Sequence, residues 1–433
     1  MKNHSDILFT QLPSVERFGS ITNKTKGDKV IWGLVLLLAL IGIMVVYSAT
    51  GTLAYQKFKG DTESFLFKQV AFTIIGLGVV YFLHRVNYTI YSRIAQILFY
   101  VSIPLLLYTW LFGAKINDGS RWIKLPIVNL TIQTSDFAKL ALFMYLSRQL
   151  SKKQIDINSF KKGFLPIIIP VAITTLLIAP ANLSNALLTA ATSLVLMFIG
   201  RVPIKFLLLV VLIAAIPVGA LVGYAVTTYT PTEATVEMAA SNNGGGIKSV
   251  GRIGTWVKRV QDFVYADAVD EPYQVQQAKM AIANGGILFG KGPGNSEQRN
   301  YLPQAYNDFI YAIIIEEYGI LGGVFIVFIY LLFLFRCIKI FRRCPYAFGA
   351  FLALGLSFTL VIQAVANMAV NVNIVPVTGV TLPLVSMGGS SFIFTCAAIG
   401  IILSVARNVE QMEGKEPIAP NEHPIIPAKP AVA

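Results

Sequence analysis

The sequence predicts an all-α polytopic membrane protein of about ten transmembrane helices with one long extracytoplasmic loop. Three observations carry that expectation. Of 433 residues, 55% are hydrophobic and only 13% charged, about half the roughly 25% charge of a soluble domain. Uncharged runs of spanning length, about 20 residues, recur along the chain. Basic residues gather in alternate connecting segments, as they do when they set topology. Together with a mean hydropathy of +0.65, these features exclude a solvated globular enzyme, a disordered chain and a fibrous repeat. The net charge of +13 would point to nucleic acid in a soluble protein. In a membrane protein it reads first as topology and as affinity for anionic lipid, so no nucleic-acid partner is expected.

Residues 1–29 form a mixed-charge cytoplasmic tail. Val30 to Ala49 is the first uncharged run, read as a signal anchor. Further spans are predicted at about 65–84, 94–112, 130–147, 164–180, 184–200, 206–228, 307–335, 346–371 and 389–406. Residues 163–200 are too long for one span, and Pro180 with the polar Asn182–Asn185 stretch divides them. Pro and Gly between Asn371 and Ser391 divide the last apolar region. The membrane domain is thus 30–406, with a long loop at about 229–306 and a disordered Pro-rich tail at 407–433. With the N-terminus inside, twenty-one of the 35 Lys and Arg fall on inner segments and six on short outer loops. That distribution places both termini in the cytoplasm of a multi-pass plasma (inner) membrane protein.

The three cysteines show no CxxC spacing and the three histidines no metal-ligand pattern. Chemistry-bearing residues cluster instead in three segments, all on the outer side. The first holds Arg121 and Trp122, then Ser135 and Lys139 at the mouth of the fourth span. An ionisable residue at membrane depth is costly and signals function, unless Lys139 snorkels to the interface; Arg121-Trp122 could equally be an interfacial belt pair. The second is the long loop. Arg252 and Arg259, seven apart, share a face if the stretch is an interfacial helix, and arginine suits phosphate recognition. Gln274 and Gln277 follow, then a glycine-rich run with Lys291, Asn295 and Ser296. That run reads as a phosphate cradle or as a flexible turn, and lacks P-loop spacing. The third is Tyr301-Leu-Pro-Gln-Ala-Tyr-Asn-Asp308. Asp308 either caps the eighth span or presents a carboxylate able to take a proton from a hydroxyl. Glu316 and Glu317, about two turns deeper, read as an internal polar pair.

Several blocks, in order, resemble the SEDS family (shape, elongation, division and sporulation proteins), and its FtsW branch more than RodA. They are Gly292-Pro-Gly-Asn-Ser, Tyr301-Leu-Pro-Gln, Asn307-Asp-Phe-Ile-Tyr-Ala, Glu316-Glu-Tyr-Gly, and Val375-Pro-Val-Thr-Gly-Val-Thr-Leu-Pro-Leu-Val-Ser-Met-Gly-Gly-Ser-Ser391. Gln363, Asn367 and Asn371, at i, i+4 and i+8, also fit. The resemblance spans about 30–406 and implies a ten-span peptidoglycan glycosyltransferase that polymerises lipid II on the outer membrane face. It implies Asp308 as the catalytic carboxylate, acting as general base, and Arg121, Trp122, Ser135 and Lys139 at matching motif positions. Ser386 and Ser390 fall in the Ser-Met-Gly-Gly-Ser block and join the substrate-binding set. The family's Leu-Pro-Glu-x-His-Thr-Asp-Phe reads Leu-Pro-Gln-x-Tyr-Asn-Asp-Phe here, its Gln-Pro-Asp-Leu-Gly-Ser appears as Ala179-Pro-Ala-Asn-Leu-Ser without the acid, and its Ser-Tyr-Gly-Gly-Ser reads Ser-Met-Gly-Gly-Ser. The implied partners are lipid II, an undecaprenyl-diphosphate-linked glycan, and a class B penicillin-binding protein with other division proteins. No cofactor is evident, and a divalent cation, Mg or Mn, would suit the diphosphate. The alternatives are a lipid-linked precursor flippase, which needs a path lined on both sides of the bilayer, and a non-catalytic division scaffold, which leaves Asp308 without a task.

Overall fold

In the computed structural model, residues 27–58, 63–116, 119–124, 131–228, 252–265, 272–303 and 305–413 are described. The tail before Gly27 and the Pro-rich end beyond Glu413 lie outside them.

Ten helices occupy the predicted spans: α1 (Lys29–Phe58), α2 (Glu63–Arg85), α3 (Tyr88–Phe112), α4 (Thr134–Lys152), α5 (Leu165–Ile178), α6 (Leu183–Ile199), α7 (Ile204–Thr227), α10 (Ile310–Arg343), α11 (Ala347–Asn371) and α12 (Ser390–Glu413). Between α7 and α10 the long loop contributes two further helices, α8 (Arg252–Val264) and α9 (Tyr273–Gly285). Eight of the described helical segments are long and apolar enough to cross a membrane. The other two in the bundle fall short for different reasons. Helix α6 has 17 residues, about 26 Å at 1.5 Å each. Helix α4 carries Asp136, Lys139, Arg148 and Gln149 and is buried along most of its length, where neighbouring helices rather than lipid receive its polar groups.

Local sequence explains the divisions. Helix α5 ends before Pro180, and Asn182 restarts the chain as N-cap of α6, its side chain accepting from the Asn185 amide at 3.2 Å. Asp28 caps α1 through the Val30 and Ile31 amides and pairs with Arg336 on α10 at 2.5 Å. The Gly27 amide donates to Glu410 on α12 at 2.8 Å, so the two ends of the bundle meet. Residues 407–413, expected in the disordered tail, instead continue α12, and Val409 packs into the core.

The sequence gives no warning of a small sheet. Strands β1 (Ala114–Ile116), β2 (Gly119–Lys124) and β3 (Thr131–Gln133) form an antiparallel sheet in the order β1-β2-β3. Trp122 sits opposite Gln133. Aromatic and β-branched residues in Arg121-Trp122-Ile123 and Thr131-Ile132 favour this pleated arrangement.

Two irregular segments position the site. Between α11 and α12, residues 372–389 dip into the bundle. Leu382, Leu384 and Val385 are buried there, Leu384 lies against Gly42 in the middle of α1, and the Tyr330 hydroxyl of α10 donates to the Pro383 carbonyl. Helix α10 is itself interrupted: Gly319 has φ 71° and ψ −177°. The glycine-rich run after α9 lies against this break as a strap. The Lys291 and Gly292 amides donate to the Glu316 and Glu317 carbonyls, each at 2.9 Å, and the Ile320 amide donates to Gly286 O at 3.3 Å. Two amides of the run, those of Lys291 and Gly292, are thus taken up by α10 main-chain carbonyls.

Around residues 285–290 the strap and the helix approach through their backbones. A Cβ at Gly290 would stand 2.2 Å from the Glu317 carbonyl carbon, and one at Gly285 would stand 2.1 Å from Ile315 O. Gly290→Ala should therefore lift the strap and cost about 1–3 kcal/mol, the range for overpacking a tight site. Thermal unfolding in detergent measures it, with Gly219→Ala on α7, where a Cβ meets nothing within 4 Å, as control. Equal melting temperatures for the two variants would mean that the strap is not seated as described.

Candidate active site

Asp308 lies in a turn, not in a helix. Residues 305–309 form the turn, α10 begins at Ile310, and Phe309 is its N-cap with no side-chain cap bond. The capping role weighed for Asp308 is thus excluded. The turn is held through its main chain. Met387 N donates to Tyr306 O at 3.0 Å and Ser386 Oγ to Asn307 O at 2.6 Å. Asn367 Nδ2 and Asn371 Nδ2 both donate to Asp308 O, at 2.8 and 3.0 Å. The half-buried Asp308 side chain lies beside Gly379: a Cβ there would stand 3.6 Å from Oδ2. Gly379 has φ +65°, a conformation that glycine adopts without strain.

Arg259 faces this carboxylate from α8. Burial lowers the guanidinium from its ordinary value and the Asp308 charge opposes that shift; burial, aided by the same carboxylate, raises the Tyr306 phenol. Arg259 also lines a pocket of about 170 Å³ with Asp262, Gln274, Asn373, Pro376 and Val377. Burial raises the Asp262 carboxyl and nearby Lys258 partly offsets it. The pocket sets a cation, amides and a carboxylate against an apolar wall near Asp308. Such a mixture suits a ligand with both hydroxyl and anionic groups. Arg252 begins the same helix as Arg259, as its spacing predicts, but its side chain lies outside the described residues, as does that of Arg121.

A second cluster surrounds Lys139. Its Nζ pairs with Asp136 at 2.8 Å and donates to Asn185 Oδ1 at 3.3 Å, and at 7% exposure the lysine is buried. It does not snorkel. The segment that lacks the family's acid contributes the Asn185 amide, while the carboxylate comes from Lys139's own helix. Asp136 and Asn185 escaped the sequence reading, although the i, i+3 spacing of Asp136 and Lys139 signals such a pair. Close by, Gln133 ties two expected site residues together: its Nε2 donates to Ser135 Oγ at 3.0 Å, and its amide to Ser390 Oγ at 3.1 Å. Half-buried Trp122 lies across the sheet from Gln133.

The remaining expected residues make contacts within the protein. Ser296 donates to Glu316, which also accepts from the Glu297 and Gln298 amides and has Lys291 3.7 Å away. Lys291 pairs with Glu297 at 2.9 Å, and exposed Asn295 bonds the Lys291 carbonyl. Glu317 accepts from Ser48 of α1 and from the Gly294 and Ser296 amides, so both glutamates are internal and both bond the run at 294–298. Gln277 is buried on α9. Ser386 is buried, and its hydroxyl is engaged between Asn307 O and the Leu382 amide. Among the described residues no three His, Cys, Asp or Glu side chains gather into a metal site.

The chain is similar in sequence and fold to known proteins. The profile of the FtsW/RodA/SpoVE family, described as cell cycle protein, covers residues 28–411. A probable peptidoglycan glycosyltransferase FtsW from Trichlorobacter lovleyi is 32% identical over 88% of this chain and 94% of its own length. Stage V sporulation protein E of Bacillus subtilis is 31% identical over 89% and 98%. Among solved structures, a chain from a study of how a peptidoglycan synthase complex coordinates polymerization and crosslinking superposes with a TM-score of 0.64 at 25% identity, covering 88% of this chain and 98% of that one. Thermus thermophilus rod shape determining protein RodA gives 0.60 at 22% identity, over 88% and 97%, and supports the fold. The chain belongs to the FtsW/RodA/SpoVE family and is a multi-pass membrane protein.

The Lys139–Asp136 pair makes a direct prediction. Asp136→Asn leaves a buried ammonium without its carboxylate and should cost about 3–5 kcal/mol, whereas the double variant Asp136→Asn/Lys139→Met should recover most of that loss. Unfolding midpoints of the purified variants decide it: additive losses would show that the two charges do not compensate each other.

Proposed function

We propose that this chain is a peptidoglycan glycosyltransferase that polymerises lipid II into glycan strands for septal wall synthesis, with Asp308 as general base. The observation that carries the reading is a half-buried carboxylate outside any helix, its turn gripped at three carbonyls and faced by Arg259. The names of the curated relatives support the reaction class.

The site lies on the extracytoplasmic side, with both termini in the cytoplasm; the surplus of Lys and Arg on alternate segments supports that orientation. Asp308 takes the proton of the 4-hydroxyl of the GlcNAc of lipid II. The oxygen forms a bond to the anomeric carbon of the growing chain's terminal MurNAc, and the bond from that carbon to the diphosphate oxygen breaks. Undecaprenyl diphosphate leaves with the electron pair. Attack opposite an α-linked leaving group gives a β-1,4 bond, so the reaction inverts.

Arg259 offsets charge developing on the diphosphate, a role in which fixed cations at a water-poor site are effective; Arg121 and Arg252 are proposed to join it. Lys139 contributes from within its pair with Asp136, and Trp122, Ser135 and Ser390 shape the neighbouring surface. Gln274, beside Arg259 in the pocket, contacts the saccharide. Mg or Mn enters this proposal only as a companion of the diphosphate, held chiefly by phosphate oxygens. A class B penicillin-binding protein is the proposed partner, a reading supported by the neighbour solved in a study of coupled polymerization and crosslinking.

Purified protein with lipid II in detergent, where no leaflets exist to cross, should yield glycan polymer, assayed alone and with the cognate class B penicillin-binding protein. Asp308→Ala should abolish the polymer and leave the melting temperature within a few degrees. Full polymerisation by that variant would overturn the assignment of the base.

A further inference from the structure

Three consecutive carbonyls in the Asp308 turn point away from any helical ladder, and each is met by a donor from the α11–α12 region. The Met387 amide takes Tyr306 O at 3.0 Å. The Ser386 hydroxyl takes Asn307 O at 2.6 Å, while accepting from the Leu382 amide at 2.8 Å. At Asp308 O two side-chain amides converge, Asn367 at 2.8 Å and Asn371 at 3.0 Å. Burying two asparagines to hold one main-chain oxygen is more than satisfying a carbonyl requires, since one donor suffices.

The asparagines are in turn fixed on every side. Both are 1% exposed. Asn367 Nδ2 also donates to Val380 O at 2.7 Å, one residue from the Gly379 that borders the Asp308 carboxylate. Asn371 donates to Asn367 O at 2.8 Å, and its Oδ1 accepts from the Ala312 amide at 3.0 Å in the first turn of α10. One side chain therefore joins the carbonyl of Asp308 to the start of the helix that follows it. Gln363, one turn further along α11, holds Thr381 O at 3.1 Å and extends the same stripe along the re-entrant loop.

We infer that Asn367, Asn371 and Ser386 are positioning residues that fix the height and direction of the Asp308 carboxylate through its main chain. None of the three touches the carboxylate in the bonds described, and none needs to touch substrate. A base displaced by about 1 Å from the hydroxyl it serves loses on the order of 10²-fold in rate, and this is the displacement that the three grips prevent. The inference rests on the assignment of Asp308 as base.

The test uses the full-length purified protein and lipid II. Asn371→Leu is close in size and removes the amide that donates to Asp308 O and accepts from the Ala312 amide, and Ser386→Ala removes one hydroxyl. Ser357→Ala, which removes a buried hydroxyl bonded within its own helix to Leu354 O, serves as control. Asn371→Leu should lower kcat by about 10²-fold with KM for lipid II changed by less than about twofold, the pattern of an interaction that matters in the transition state. Ser386→Ala should show the same split with a smaller, roughly tenfold loss, and it carries the test if Asn371→Leu does not fold. Ser357→Ala should keep wild-type kcat. Wild-type kcat in a folded Asn371→Leu or Ser386→Ala, or a loss that merely tracks the folded fraction, overturns the inference. Asp308→Ala, run alongside, separates the two ideas: activity there removes the base itself, whereas an inactive Asp308→Ala beside a fully active Asn371→Leu removes only the positioning.

Discussion

Within a bilayer no water is available to satisfy a main-chain N–H or C=O, so any break in a helix must be repaired by the protein itself. Two such repairs shape this molecule. At Gly319 the ladder of α10 is interrupted, and the strap amides of Lys291 and Gly292 take the carbonyls of Glu316 and Glu317. Just before α10 the chain runs through the non-helical turn at 305–309, whose carbonyls fall to Met387, Ser386, Asn367 and Asn371. The long loop is anchored on α10 at Glu316, Glu317 and Ile320, and the re-entrant segment at Tyr330. The Asp308 turn is held from α11 and the re-entrant segment.

Charge follows the same economy. Burying a lone charge is costly, while a paired one is tolerated. Lys139 has Asp136, Arg336 has Asp28, and Lys291 has Glu316 and Glu297. Each of these cations is committed to a structural partner. Arg259 differs: its described counterpart is Asp308, and it also borders the pocket. The 35 Lys and Arg of the sequence thus include some that are internally paired and a small set beside the turn.

The bundle was legible because length and hydropathy are read directly from residue type, and because Pro180 and Asn182 punctuate the chain where α5 gives way to α6. The Asp308 segment was legible for the same reason in reverse, as polar residues at the edge of an apolar run. What escaped were contacts made by backbone. Gly292 meets α10 through its amide alone, and Lys291 through its amide as well as its ammonium, so the glycine-rich pattern by itself does not announce the contact. Asn367 and Asn371 stood out at i, i+4, but their target is a carbonyl, which every residue has. That Ser296 and Ser386 are buried is not legible from residue type, because burial depends on how distant segments meet. The continuation of α12 past Arg407 was hidden by the prolines that follow, the first of them at 417.

The strap also bears on how the long loop can change over time. Its seat on α10 recognises shape and amide geometry at Gly285, Gly290 and Gly319, and takes little account of the side chains between them. Ile287, Leu288 and Phe289 point outward at 76%, 58% and 84% exposure. The strap is therefore a graftable module: its outward face is open to rewriting, for a different membrane or a different neighbour, while the three glycines keep the splice in register.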